Sequence, residues 1–148
     1  PMLRVLKCPT CNDVPIVGPP ESITNEVFSA LSLLKSLEIL FSKYSIPIDS
    51  VYSSEWCRCK ETARLAFGNF ESLSALNSTF SADYQKNHAN QMYELNQFIK
   101  NWDDSQGNLI FVTHYVIVGG FLDYYPSSGE MVITDKSLSV LGTIKINF

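Results

Sequence analysis

The sequence predicts a single α/β domain over residues 1–148. It is expected to be a three-layer sandwich whose mostly parallel central sheet has about five strands and an antiparallel edge. Three observations carry that expectation. Short apolar runs alternate with stretches of helical period, and parallel strands need crossover connections of about that length. One run, Leu109 to Thr113, is apolar almost throughout, as a strand buried on both sheet faces must be. No internal repeat or linker divides the 148 residues, a length that suits one domain.

The elements follow in order. Leu3 to Cys8 is a short apolar run ended by Pro9, which suits a first strand, and a loop rich in Pro, Asn and Gly continues as far as Pro20. From about Ser22 to Tyr44, apolar residues recur at Val27, Leu31, Leu34, Leu37, Phe41 and Tyr44, the spacing of a helix laying one face on a core. Pro47 prevents its continuation. Asp49 to Ser53 reads as a second strand and Glu55 to Phe67 as a second helix, with Ser53 or Ser54 as N-cap and Gly68 as stop. Asn69 to Asn87 has little periodicity and many Ser and Asn residues, so it is expected to cross the surface with little regular structure. Met92, Leu95, Phe98, Ile99 and Trp102 restore helical spacing before the third strand, Leu109 to Thr113. A short helix near Val116 to Leu122 and two closing strands, near Glu130 to Thr134 and Ser139 to Asn147, complete the pattern.

Composition limits the function. A net charge of −4, from 11 basic and 15 acidic residues with no basic run, leaves no footprint for nucleic acid. The longest apolar stretch, Leu109 to Leu122, is interrupted by His114 and a Gly pair and is shorter than the ~20 residues a membrane-spanning helix needs. A soluble protein is expected. No charged and then apolar leader precedes a small-residue cleavage site, so the compartment stays open between the cytoplasm and export. Four cysteines in two close pairs, Cys8 with Cys11 and Cys57 with Cys59, permit a zinc or thiol-redox reading, although a one-residue gap makes an awkward second knuckle.

In open parallel sheets, ligands bind beyond the carboxyl ends of the strands, where loops and helix N-termini converge. The residues expected there are Lys7 and Cys8 after the first strand, Ser53, Ser54 and Arg58 after the second, and His114 after the third. Arg58 falls in the first turn of its helix, where exposed backbone donors already favour an anion. The ligand implied is a phosphate or carboxylate, and no cofactor or metal is called for.

The segment Val51-Tyr52-Ser53-Ser54-Glu55-Trp56-Cys57-Arg58-Cys59-Lys60-Glu61-Thr62-Ala63 resembles the histidine phosphatase superfamily, the phosphoglycerate-mutase-like fold. In that family a strand leads through Ser-Ser to a phosphate-binding Arg. Asn108 to His114 resembles its second histidine motif, and Gly129-Glu130-Met131-Val132 its closing Gly-Glu strand. The resemblance implies covalent catalysis in a cationic cradle. An Arg-His pair ending the first strand supplies the nucleophile, a second Arg and a second His complete the pocket, and a carboxylic acid protonates the leaving oxygen. Arg58 matches the second Arg and His114 the second His.

The first motif departs from the family. Where the family has Arg-His, Leu3-Arg4-Val5-Leu6-Lys7-Cys8 ends in Lys-Cys, and the other histidine, His88, sits at the start of a predicted helix. Two outcomes follow. In the favoured one, Lys7, Ser54, Arg58 and His114 bind phosphate or a phosphorylated small molecule, or the domain binds a protein partner, without phosphohistidine chemistry. Lys lacks the two-pronged grip of Arg, which argues against catalysis tuned to the original geometry. In the other, Cys8 is the nucleophile of an active phosphomonoesterase, its thiolate favoured by nearby cations. Asp13 and Glu130 are the alternatives for the leaving-group acid, and Tyr115, directly after His114, either lines the pocket or closes the sheet.

Overall fold

The structure, a computed structural model, describes residues 2–7, 37 and 39–145. Cys8, Cys11, Asp13 and most of the helix expected from Ser22 lie outside the described residues. Among those described, β1 (Leu3–Lys7), β2 (Ile48–Ser53), β3 (Glu71–Ser72), β4 (Asn108–Thr113), β5 (Glu130–Thr134) and β6 (Val140–Lys145) form one sheet in the order β3-β2-β4-β1-β5-β6. The pairs β3–β2, β2–β4 and β4–β1 are parallel, while β5 and β6 run antiparallel at one edge. This is the expected mixed sheet with one strand more than predicted.

All six residues of β4 are buried, so its position at the centre of the sheet follows from its apolar run. Successive side chains alternate between faces. Leu109 and Phe111 join Leu3, Val5, Leu95, Ile99, Ile117, Val118 and Val132 on one side. Ile110 and Val112 join Leu6, Val51, Cys59, Ala63, Ala66 and Met131 on the other, together with Leu37 and Phe41 from the helical residues 37 and 39–43. Helix α1 (Cys57–Phe67) packs on this second side through Cys59, Ala63 and Ala66, small residues that let its backbone approach the sheet. On the first side lie a short helix α2 (Ala82–Gln85), α3 (His88–Asn101) and α4 (Tyr115–Leu122), and α3 buries Gln91, Leu95 and Ile99 at intervals of four.

Two expectations need correction. Helix α1 begins at Cys57 rather than Glu55, and no side-chain cap closes it. The Ser54 hydroxyl, expected as a cap, accepts the Trp56 N–H at 3.3 Å while its stronger bonds run to other side chains. The segment from Asn69 to Asn87 is not irregular: it holds β3, a 3-10 turn (Ser74–Leu76) and α2, and it buries Ala75, Leu76, Ser78 and Thr79. Long-range bonds fix it. The Gln91 amide donates to the carbonyls of Ala75 and Asn77 at 3.2 and 2.9 Å, and the Thr113 hydroxyl to that of Leu76 at 2.7 Å.

Candidate phosphate-binding site

Register brings the strand ends together. Lys7 stands beside Thr113, Ser53 beside Val112, and the Ser54 N–H continues the ladder to the Val112 carbonyl at 3.0 Å. The next residues along β2 and β4, Ser54 and His114, therefore meet at one edge. Ser54 Oγ lies 3.0 Å from His114 Nε2, and Arg58 Nη2, from the first turn of α1, lies 3.1 Å from His114 Nδ1. Of the expected phosphate-binding residues, Ser54, Arg58 and His114 thus form one connected group.

Trp56 holds the group in place. Its ring meets the His114 imidazole edge to face, with centroids 5.0 Å apart, and the Arg58 guanidinium lies over it at 5.0 Å. Cys59 Sγ sits 3.6 Å from His114 Nε2. His114 is only 5% exposed, and this burial, with the Arg58 charge beside it, pushes its pKa down to about 4. It is neutral at physiological pH. Lys7, half buried at the end of β1, has its ammonium 5.4 Å from the centre of the Tyr115 ring. Tyr115 is thus a surface beside the edge, more than a third exposed, and the first residue of α4.

Asn77 was not visible as a site residue. Its amide oxygen accepts the Ser54 hydroxyl at 2.9 Å and the Glu55 N–H at 2.8 Å, and its nitrogen donates to the Glu55 carboxylate at 2.6 Å. Glu55, expected as the first residue of the helix, precedes α1 and orients this amide. No spacing rule links residues 22 positions apart in a segment without period. Trp56 carried a signal, since it lies between two residues already singled out, but its ring contacts could not be read from that.

The other expected residues behave differently. Glu130 is 2% exposed, with one oxygen accepting the Tyr124 hydroxyl at 2.6 Å and the other the Ser127 N–H at 2.8 Å. Burial raises its pKa, but these bonds, with Thr143 and Lys145, outweigh that and hold it below the ordinary carboxylate range. His88 Nδ1 lies 2.9 Å from Thr79 Oγ1, and its ring presses on Gly120, where an added Cβ would come within 2.5 Å of it. Cys57 is exposed and Cys59 buried, so these neighbours on α1 face different surroundings. Among the described residues no group of three or more His, Cys, Asp or Glu could hold a metal ion.

The mostly parallel sheet with its antiparallel edge has the fold seen in histidine phosphatases and phosphoglycerate mutases. Among solved structures, the protein histidine phosphatase SixA, complexed with tungstate, superposes with a TM-score of 0.63 at 9% identity, covering 97% of this chain and 96% of that one. The protein TTHB049 from Thermus thermophilus gives a TM-score of 0.60 at 14% identity, covering 97% and 98%. A phosphoglycerate mutase from the same organism gives 0.57 at 15%, covering 99% of both chains. At these identities the likeness is one of fold. No sequence-family model and no curated protein sequence matches the chain. Among the described residues no helix is long and apolar enough to cross a membrane.

Proposed function

We propose that this domain binds the phosphate group of a small phosphorylated molecule at the carboxyl edge of its sheet, without forming phosphohistidine. The observation that carries the reading is the contact of Arg58 with His114 at the end of two parallel strands, 3.1 Å apart. The Arg58 guanidinium stands against a neutral imidazole, and Lys7 brings a second basic side chain to the end of β1. The start of α1 contributes the positive end of its dipole to the same place. The tungstate carried by the SixA structure is a tetrahedral oxyanion, the shape of ligand such an edge suits.

The chain has two histidines, His88 and His114, and the reading gives neither the role of the family's nucleophile. His114 corresponds to the second histidine, while His88 is bonded to Thr79 and packed on α4. The residue that follows Lys7 is Cys8. Glu130 is read as tying the 124–127 turn to β5 rather than as an acid.

Melting curves in the presence of millimolar phosphate or orthovanadate test the reading. Saturable protection is expected in the native protein and lost in Arg58→Ala, because a ligand that binds only the folded state raises its stability. Absence of protection in the native protein would refute the proposal. Turnover of an aryl phosphate separates the two chemistries: the reading expects none in the native protein and activity when Lys7→Arg and Cys8→His are combined. Native turnover abolished by Cys8→Ser would replace it with a thiolate phosphatase.

A further inference from the structure

Each hydrogen bond in the chain from Glu55 to Arg58 leaves its neighbour one choice. The backbone N–H of Glu55 can only donate, so the Asn77 atom 2.8 Å from it is the amide oxygen, with the amide nitrogen toward the Glu55 carboxylate. That oxygen can only accept, so the Ser54 hydroxyl gives its proton there. A hydroxyl has one proton. Toward His114 Nε2, Ser54 Oγ therefore accepts, and Nε2 carries the ring N–H. At the other end, a guanidinium has no acceptor, so Arg58 donates and His114 Nδ1 is the bare nitrogen. The two ends fix the same tautomer independently.

The imidazole thus presents a lone pair, and not an N–H, on the side where Arg58 stands. We infer that this lone pair makes the edge selective for an oxyanion that still carries an acidic proton, hydrogen phosphate or a phosphomonoester monoanion, over sulfate, with Asn77 as the positioning residue that imposes the choice. The inference rests on the edge being an anion site. A ligand held by Arg58 competes with Nδ1 for the guanidinium, and an Nδ1 released in this way needs a new donor. A P–OH group supplies one through an O–H···N bond, whereas sulfate has no proton to give at neutral pH.

The remaining route is to protonate the ring, and its surroundings oppose that. Arg58 and Cys59 face it from α1, and Lys7 stands at the end of β1 against Tyr115. The Tyr84 ring packs against Trp56, and among the described residues the neighbouring carboxylate, Glu55, is engaged by Asn77 rather than by the imidazole. A cradle working by charge alone would favour sulfate, a full dianion, over phosphate at pH 7. The inferred preference has the opposite sign.

Calorimetric titration at pH 7 and constant ionic strength, with inorganic phosphate and sulfate as probes, tests it. Phosphate is expected to bind roughly tenfold or more tightly than sulfate, the worth of one hydrogen bond to a charged ligand. Asn77→Ala frees the Ser54 hydroxyl to donate to Nε2, so Nδ1 can carry the proton and donate to either anion. Sulfate affinity should then rise toward that of phosphate. Sulfate binding as well as phosphate to the native protein would overturn the inference and leave the anion site standing, while binding of neither would overturn both. The ring ¹⁵N shifts of His114 in the unliganded native protein provide a second test that needs no variant: an Nε2–H tautomer is expected, and an Nδ1–H tautomer overturns the inference.

Discussion

At the amino ends of the parallel strands, the buried Asn108 amide accepts the Met2 N–H at 2.9 Å and donates to the Pro47 carbonyl at 2.6 Å. Nearby, the Trp102 indole donates to Asp49 at 2.9 Å and Lys136 to the Trp102 carbonyl at 2.7 Å. At the carboxyl ends, Arg58 meets an imidazole and Ser54 meets Asn77 and that same imidazole, side chain to side chain. Three of the four bonds at the first edge end on backbone groups, those of Met2, Pro47 and Trp102, which are fixed once the chain folds, so they close the fold. The second is built from groups that can exchange partners, with cations gathered around a neutral ring. One edge closes the fold, and the other is the one proposed to take a ligand.

The largest effect expected to sharpen this contrast is acid destabilisation through His114. Its folded pKa of about 4 lies below the ordinary 6.5, so as pH falls the unfolded chain takes up a proton first. The stability contributed by the neutral ring is complete above about pH 6.5 and is lost between there and about pH 4, on the order of 3 kcal/mol in all. Glu130, whose pKa is also lowered, adds loss at still lower pH. Denaturant titrations across this range, repeated on His114→Gln, measure the histidine share. An unchanged slope in the variant would show that His114 is not held neutral.

Next comes Asn108→Ala at the opposite edge. It removes the Met2 N–H acceptor and one of two bonds to the Pro47 carbonyl, and two lost hydrogen bonds cost about 1–3 kcal/mol. Urea unfolding should show that loss, while phosphate affinity stays unchanged. A weakened anion site in this variant would mean that the two edges are coupled through β4, and the division drawn between them would fail.

What the sequence made legible follows the same division. Strands β1, β2, β4, β5 and β6 were readable because alternation, or its absence in β4, is a local property of the chain. Arg58 and His114 could be placed at one edge because parallel strands end together. The 69–87 segment was misread because its buried residues have no period. It is held by Gln91 and Thr113, partners that only the folded chain brings near. Asn77 was hidden for that reason. The start of α1 was placed two residues early because Ser54 has the chemistry of a cap, but its hydroxyl is engaged by Asn77 and His114 instead.

The smallest effect is expected from a second arginine on the same helix, which serves as the control for Arg58. Arg64 lies further along the helix than Arg58, paired on the surface with Glu61 at 2.6 Å, both side chains more than half exposed. Exposed pairs of this kind exchange freely with water and contribute little. Arg64→Ala removes the same formal charge as Arg58→Ala, yet it should leave both the melting temperature and the protection by phosphate unchanged. Arg58→Ala should abolish protection while altering the ligand-free protein only modestly. If Arg64→Ala weakened protection as much, the edge would be acting through the net charge of the helix. A selective loss at Arg58 would tie binding to the guanidinium against His114, which is the feature separating this edge from the other.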